Sequence, residues 1–570
     1  MADTEGNGIA QMGEAIREEA SPATAPQGPA LKYGLFLLVV SFVVYAQAVT
    51  FPFLNLDDSS FIVQNQYIRH WQSLPSYFVP SIEDPFAKSI TKIPSFYRPL
   101  SATWLLLNYK LFGLRPWLWH LSAVALFALG VWLLWRIAWL LTRDDAVALA
   151  AALLYALHPL HVEAVAWLSG AYVETLMSVF FLGGFLAYLR WRQDRRSIWL
   201  IASGVLALGA LLCKETAAAL PVLIGAHALL FRRSETNAPS SVRRWIWPAV
   251  AMVATVGAYT LMRMSAIHAV VASGTGHTWA DVLRTAPLLF VTYTKHAFWP
   301  AHLAMWYDVG IVNTLTPGNF YLPMAFCIAY ALLLVWALLR KPLAGFLMLW
   351  WVVALGVPIV AVLVFPDFEI VHDRFPFVAL AGLCVLVASW LRRLPAWGPS
   401  LFGFRAASAL AMAVLAAVLG MLTAMQVNTW RGDIPLFAHA IEVSPRNVRP
   451  RVLLATEYLK KNDLENALPI FREALSMDPN RWDVLFTYGL ALDKAGDRVQ
   501  AVSTMQHAVE VGPTMTPSYL VLANFYTEGG RFDEADALLE KGIPLAREPE
   551  FLRSALAHLR ERHPHPASLR

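Results

Sequence analysis

WLWHLSAVALFALGVWLLWRIAWLL, residues 117–141, carries a single formal charge, at Arg136. A membrane span needs about 20 predominantly apolar residues, with a range of roughly 17–25, so this stretch is long enough to cross a bilayer. Its tryptophans at Trp117 and Trp119, like Trp71 and Trp104, suit an aromatic belt at the water boundary better than a sugar-stacking role. Working outward, apolar runs of spanning length recur at 33–53, 146–167, 171–189, 197–213, 216–231, 245–263, 321–339, 343–365, 375–391 and 405–426. The composition agrees. Of 570 residues, 57% are hydrophobic and 15% charged, against roughly 25% charged in an average soluble protein. A globular chain this apolar would lack polar surface to cover itself, so most of it has lipid as solvent.

Arginine and lysine mark cytoplasmic loops. Arg136 with Arg143, Arg190 to Arg196, Arg232 to Arg244, Arg340 with Lys341, and Arg392 to Arg405 mark alternate loops. That alternation holds only if 286–306, which contains Lys295, His296, Pro300 and His302, enters and leaves on one side. It is therefore expected to be re-entrant or interfacial, leaving about eleven spans and opposite sides for the two termini. Residues 1–30 read as a disordered cytoplasmic tail, because they hold little apolar content and the run SPATAPQGPA. The first external loop, 54–116, is the exception to the charge rule, with Arg69, Lys88, Lys92, Arg98, Lys110 and Arg115. Its end, YRPLSATWLLLNYKLFG (97–113), reads as an interfacial helix. The net charge of +5 is scattered between apolar runs, which excludes a nucleic-acid groove. Cys213, Cys327 and Cys384 show no ligand spacing and read as core thiols.

After Gln426 a period appears. Ala467, Ala501 and Ala535 lie 34 residues apart, as do Phe471, Met505 and Leu539, and Pro479 and Pro513 keep the interval. This is the tetratricopeptide pattern, assigned to 429–560 behind a membrane domain at 31–428. Such arrays bind extended polypeptide on their concave face.

Ionisable residues gather at one end of the spans. Asp57 and Asp58 follow the first run; HPLHVEAVAW (158–167) closes the third and Glu174 opens the fourth; CKET (213–216) joins the fifth and sixth; EIVHDRF (369–375) precedes the tenth. Charge at membrane depth is costly, so such a cluster is a candidate site. Each part also has a structural reading. Asp57-Asp58 before Ser59 fits a helix start. His158, His161 and Glu163 fit buried backbone partners around the Pro159 kink, and less well a metal site with a carboxylate. Adjacent Lys214 and Glu215 diverge on a helix and need separate partners. Arg374, beside His372 and Asp373, fits an interfacial anchor or a phosphate clamp.

The Asp pair after the first span, YRPL leading through LFG to PWLWHLS, HPLHVEAVAW, the CKE junction, a late DRF loop and trailing repeats occur in that order. The chain thereby resembles the transmembrane and tetratricopeptide-repeat family of protein O-mannosyltransferases, members of the multi-span glycosyltransferase C superfamily. The resemblance implies an all-α polytopic bundle, glycosyltransferase C-like, followed by a repeat solenoid outside the cytoplasm, set in the bacterial inner membrane. It implies transfer of a mannose-like hexose from a polyprenyl-phosphate carrier to a protein hydroxyl, with inversion. Asp57 is then the matching general base and Asp58 orients the acceptor or shares that role. Arg98, Lys214 and Arg374 hold the donor phosphate. His158, His161, Glu163, Glu174, Glu215 and His372 form the sugar or acceptor pocket. No cofactor is required beyond the lipid-linked donor, a divalent metal is not favoured, and the repeats present the acceptor. An oligosaccharide ligase or polymerase, or a non-enzymatic membrane-anchored repeat scaffold, are the alternatives. The first wants its basic and His residues in one large late loop, and the second leaves the one-sided cluster without a reason.

Overall fold

The computed structural model describes residues 31–79, 96–231, 243–267, 277–365, 369–394, 400–401 and 404–563. The expected tail at 1–30, Lys88, Lys92, Arg232 and Arg233 lie outside the described residues. The fold is all-α apart from a two-residue antiparallel pair, Ser400–Leu401 with Phe404–Arg405. The bundle comprises α1 (Leu31–Val44), α2 (Leu74–Phe78), α3 (Pro99–Phe112), α4 (Pro116–Thr142), α5 (Asp145–Ala156), α6 (Val162–Ala166), α7 (Leu168–Asp194), α8 (Ser197–Cys213), α9 (Ala219–Leu230), α10 (Arg243–Ile267), α11 (Trp279–Phe298), α12 (Leu322–Arg340), α13 (Pro342–Val360), α14 (Ala379–Leu391) and α15 (Ala406–Thr429).

Among the described residues six helical stretches are long and apolar enough to cross a membrane: Pro116–Thr142, Leu168–Asp194, Ile246–Ile267, Pro317–Arg340, Pro342–Leu363 and Ala407–Thr429. The pair Asp145–Ala156 and Pro159–Ala166, bent by 53°, makes a seventh if it is one span, and Leu31–Val44, Ser197–Cys213, Glu215–Leu230 and Ala379–Leu391 are shorter apolar helices. Each of the eleven apolar runs falls on one of these elements, and the chain is an integral membrane protein. Lipid-facing side chains remain exposed along α10 and α12, including Val250, Val253, Leu332 and Leu339. Pro159 causes the bend, because it cannot continue the hydrogen-bond ladder of α5. At the far end of the bundle Arg143 and Arg195 stop α4 and α7 in left-handed conformations, φ 56° and 59°, where their cations also suit the negative helix termini.

The segment 286–306, expected to be re-entrant or interfacial, is not among the stretches long and apolar enough to cross a membrane. Ala286 to Phe298 is the second half of an unbroken helix, α11, nucleated by a capping box between Thr278 and Asp281. Pro287 is tolerated inside it, and residues 299–316 leave it without turning back as a helical hairpin. The Thr285 hydroxyl accepts from the Val312 N–H at 3.1 Å, Phe290 packs on Phe326 and Tyr330, and the Trp351 indole donates to the Thr294 hydroxyl at 3.3 Å.

The repeats follow as α16 (Asp433–Val443), α17 (Val448–Lys460), α18 (Leu464–Met477), α19 (Trp482–Lys494), α20 (Arg498–Val511), α21 (Thr516–Glu528), α22 (Phe532–Gly542) and α23 (Pro549–Arg562). Ala467, Ala501 and Ala535 are fully buried where paired helices meet, and Phe471, Met505 and Leu539 fill the layer beside them. The turn inside each repeat has its own period. Asn462, Gly496 and Gly530 all have positive φ (61°, 85° and 72°), the left-handed step that reverses the chain between paired helices. Asp463 and Asp497 then cap α18 and α20.

No packing boundary separates bundle from repeats. The bundle core continues through Val427, Trp430, Leu436, Phe437, Ala440 and Leu454, while a second core runs from Val448 to Leu556. Polar contacts join the same surfaces. The Asn55 N–H donates to Asp433 at 2.8 Å and its amide to Glu457 at 3.1 Å; the Ser444 hydroxyl donates to the Trp306 carbonyl at 2.6 Å; the Arg446 N–H donates to Asp308 at 3.0 Å.

Candidate functional site

After α1 the chain leaves through a 3-10 turn, Ala46–Thr50, and reaches Asp57 and Asp58 at the start of a short turn, Ser59–Val63. Neither aspartate side chain caps that turn. Asp58 points inward and is buried. One of its oxygens accepts from the Leu54 N–H at 3.1 Å, and the other accepts from the N–H and hydroxyl of Ser169 at 2.8 and 2.5 Å. Ser169 is the second residue of α7, so Asp58 satisfies a donor that the helix leaves orphaned. Burial pushes the Asp58 carboxyl up to about 6, with the Ser169 hydrogen bonds pulling back. Asp58→Ala is expected to cost about 1–3 kcal/mol, the penalty of leaving buried donors unpaired, read as a lowered thermal midpoint of the purified protein. An unchanged midpoint would show that the cap is dispensable.

Asp57 faces the other way, into a cavity of about 690 Å³ at the ends of α7, α8, α10 and α13, closed on one side by the first repeat. Its carboxylate receives no hydrogen bond and makes no ion pair among the described residues. Burial around the cavity raises the Asp57 carboxyl above its ordinary value, while Arg374 pulls it down.

The expected residues Asp57, Arg98, Glu174, Lys214, Glu215, His372 and Arg374 all line this cavity. Arg98 stands at the start of α3 and holds Glu215 through Nε and Nη2 at 3.1 and 2.8 Å. Lys214 adopts an extended conformation between α8 and α9, so it and Glu215 point to different partners, Lys214 to Glu174 and Glu215 to Arg98. Arg374 packs its guanidinium 4.9 Å from the Trp167 ring centre.

Four expected site residues stand elsewhere. Asp58 and Glu163 lie behind the wall. Glu163 is buried and takes both the backbone N–H of Arg374, at 3.0 Å, and its guanidinium, with His372 Nδ1 at 3.4 Å. It positions Arg374 and does not face the cavity. His158 is spent on backbone groups, with Nδ1 accepting from the Leu160 N–H at 3.3 Å and Nε2 against the carbonyl of Ala297 in α11 at 2.9 Å. His161 is rotated by the Pro159 bend into an aromatic nest of Tyr155, Phe377 and Phe127, with ring centres at 4.1, 4.5 and 5.3 Å. Among the described residues no three His, Cys, Asp or Glu side chains converge as a metal ligand set.

The loop carrying Arg374 is itself a polar network. The Tyr307 hydroxyl donates to Asp373 at 2.5 Å. Burial raises the Asp373 carboxyl, with the Glu163 charge adding to it, and burial lowers the His372 imidazole, with Arg374 reinforcing the effect.

Sequence reasoning passed over Arg263, Trp306 and Arg449, and gave no role to Glu369 in the quoted EIVHDRF stretch; all four also line the cavity. Arg263, near the end of α10, reaches Glu215 at 3.4 Å and the Tyr259 hydroxyl at 3.3 Å. Its signal was a lone charge closing an apolar run at the end away from the arginine-marked loops. Arg449 pairs with Glu369 and lies 5.6 Å from the Trp306 ring centre; nothing in the repeat period distinguishes it.

A family model described as dolichyl-phosphate-mannose-protein mannosyltransferase matches residues 97–259, and a tetratricopeptide-repeat model matches 448–481. Protein O-mannosyl-transferase Tmtc3 of Drosophila melanogaster is 25% identical over 93% of this chain and 65% of its own length. Protein O-mannosyl-transferase TMTC3 of Homo sapiens is 23% identical over 87% of this chain and 58% of its own. This chain thus spans about 58–65% of the length of these curated relatives. A crystal structure of ArnT from Cupriavidus metallidurans bound to undecaprenyl phosphate is 16% identical, covering 84% of this chain and 80% of that one, at a TM-score of 0.36. That overlap is too loose to carry an argument. Over 87–93% of its length, this chain is similar to protein O-mannosyl-transferases.

Proposed function

We propose that this chain is an integral-membrane glycosyltransferase of the glycosyltransferase C type that moves a mannose-like hexose from a polyprenyl-phosphate carrier to a hydroxyl of a polypeptide. The observation that carries the reading is one cavity lined both by Asp57, a carboxylate unpartnered among the described residues, and by the cations Arg98, Lys214 and Arg374, each paired with a glutamate. The names of the curated relatives support the same chemistry. Asp57 takes the proton of the acceptor hydroxyl. The acceptor oxygen bonds to the anomeric carbon as the bond from that carbon to the phosphate oxygen breaks, and the electron pair leaves with the phosphate. A single base with no enzyme nucleophile inverts the anomeric centre.

The leaving phosphate needs cations rather than an acid. Arg98 uses two of its three nitrogens on Glu215, so its guanidinium can hold the carboxylate and a phosphate oxygen together. The lipid-facing apolar surface of α10 suits a carrier whose tail stays in the bilayer. The repeats dock at the cavity end of the bundle, opposite the arginine-rich ends. In this reading cavity and repeats lie outside the cytoplasm and α1 has its N-terminal end inside, which the arginine-marked loops support.

Purified protein given labelled polyprenyl-phosphate hexoses is expected to consume the mannose carrier and to spare the glucose and galactose carriers. Consumption of none of them would overturn the reading.

A further inference from the structure

Resting on that reading, we infer that Arg449, Glu369 and Trp306 form the acceptor subsite, gripping the main chain of an extended polypeptide beside Asp57. The three side chains come from three separate parts of the chain. Arg449 lies in α17 of the first repeat, Glu369 in the loop before α14, and Trp306 in the segment after α11. All three line the cavity that holds Asp57. The charged groups acting on Asp57 are Arg374, Glu369, Arg449 and His372, so the pair is on the base side of the cavity.

Accessibility separates this ion pair from the two most enclosed ones. The Arg449 and Glu369 side chains are 36% and 22% exposed, against 9% and 2% for Lys214 and Glu174 and 16% and 1% for Arg374 and Glu163. Those two pairs are the more enclosed; Arg449–Glu369, like Arg98–Glu215 at 23% and 28%, is accessible, and of these two it is the one that acts on Asp57. A peptide unit offers one N–H donor and one carbonyl acceptor. An ion pair that opens toward it offers the complement, a guanidinium for the carbonyl and a carboxylate for the N–H, both as charge-assisted bonds. The ring of Trp306, buried below Arg449, is the flat floor on which that guanidinium rests.

The floor is fixed from the repeat side. Ser444 holds the Trp306 carbonyl at 2.6 Å, and His439 Nε2 lies 2.9 Å from the Leu303 carbonyl. The subsite therefore exists only where repeat and bundle meet, at the point where a chain lying along the array reaches the base. Every residue carries the same N–H and carbonyl, so recognition here tolerates many sequences and demands an extended, unpaired backbone.

The test uses the full chain in lipid nanodiscs, a polyprenyl-phosphate-mannose donor, and a pool of sequence-degenerate 20-residue peptides containing serine and threonine. In Arg449→Ala and in Glu369→Gln the KM for peptide is expected to rise at least tenfold, while the KM for donor moves less than twofold. Arg449→Lys, which keeps the charge but not the planar fork, is expected to fall between wild type and Arg449→Ala. An unmoved peptide KM, or peptide and donor KM rising in step, overturns the subsite. So does a wild type that consumes donor but labels no peptide. A wild type that consumes no donor overturns instead the underlying reading.

Discussion

Asp57→Asn is expected to lower sugar transfer by about 10²–10⁴-fold, the usual contribution of a positioned general base. The substitution removes the charge and keeps the shape, and Asp57 makes no hydrogen bond that folding depends on among the described residues. Thermal stability and donor binding therefore stay near wild type. The pH profile gives an independent check. Burial raises the Asp57 carboxyl and Arg374 lowers it. The base works only when ionised, so activity is full above the raised value and lost as pH falls through it. The acid limb then lies above that of an ordinary aspartate. Arg374→Ala removes the lowering charge and moves the limb to still higher pH. Transfer by Asp57→Asn at the wild-type rate would remove Asp57 from the reaction, and an acid limb unmoved by Arg374→Ala would remove Arg374 from its surroundings.

Glu163→Gln is expected to destabilise the protein by about 3–5 kcal/mol, because removing one member of a buried pair leaves an uncompensated charge. Glu163 is buried and holds Arg374 through both the backbone and the guanidinium. Denaturant unfolding of the purified protein reads the loss. The double variant Glu163→Gln with Arg374→Met is expected to recover much of it, since the stranded cation is then gone. Activity should stay low in both, because the cavity keeps no guanidinium at that place. A single variant as stable as wild type would mean that Arg374 swings to water, and Glu163 would then not fix it.

What the sequence made legible follows from periodicity and from the cost of charge in lipid. The apolar runs fell on helices because a backbone in hydrocarbon must satisfy its own hydrogen bonds. The 34-residue columns at Ala467, Ala501 and Ala535 were read from residue size alone. The cavity cluster was legible in part: seven of the eleven nominated residues line it. The others were misplaced for one reason: sequence gives the end of a span at which a residue sits, but not which way the side chain turns. The Pro159 bend sends His161 into aromatic packing, and two neighbouring aspartates point to opposite sides of one wall. Arg449 was illegible because its role depends on docking across 80 residues to Glu369, which no local spacing records. Sequence left 286–306 open between a re-entrant and an interfacial segment; Lys295 and His296 sit in the last turn of an unbroken helix that is not among the stretches apolar enough to cross a membrane.

The continuity of the bundle core into Phe437, Ala440 and Leu454 has a bearing on biosynthesis. A ribosome makes this chain from the amino end, so every span up to α15 is threaded into the bilayer while the groups that brace Trp306, Ser444 and Arg449, are still unmade. Until that late segment emerges and docks, Asp57 lacks the far wall of its cavity. A nonsense codon shortly after 430 is therefore expected to leave a chain that inserts with that wall missing.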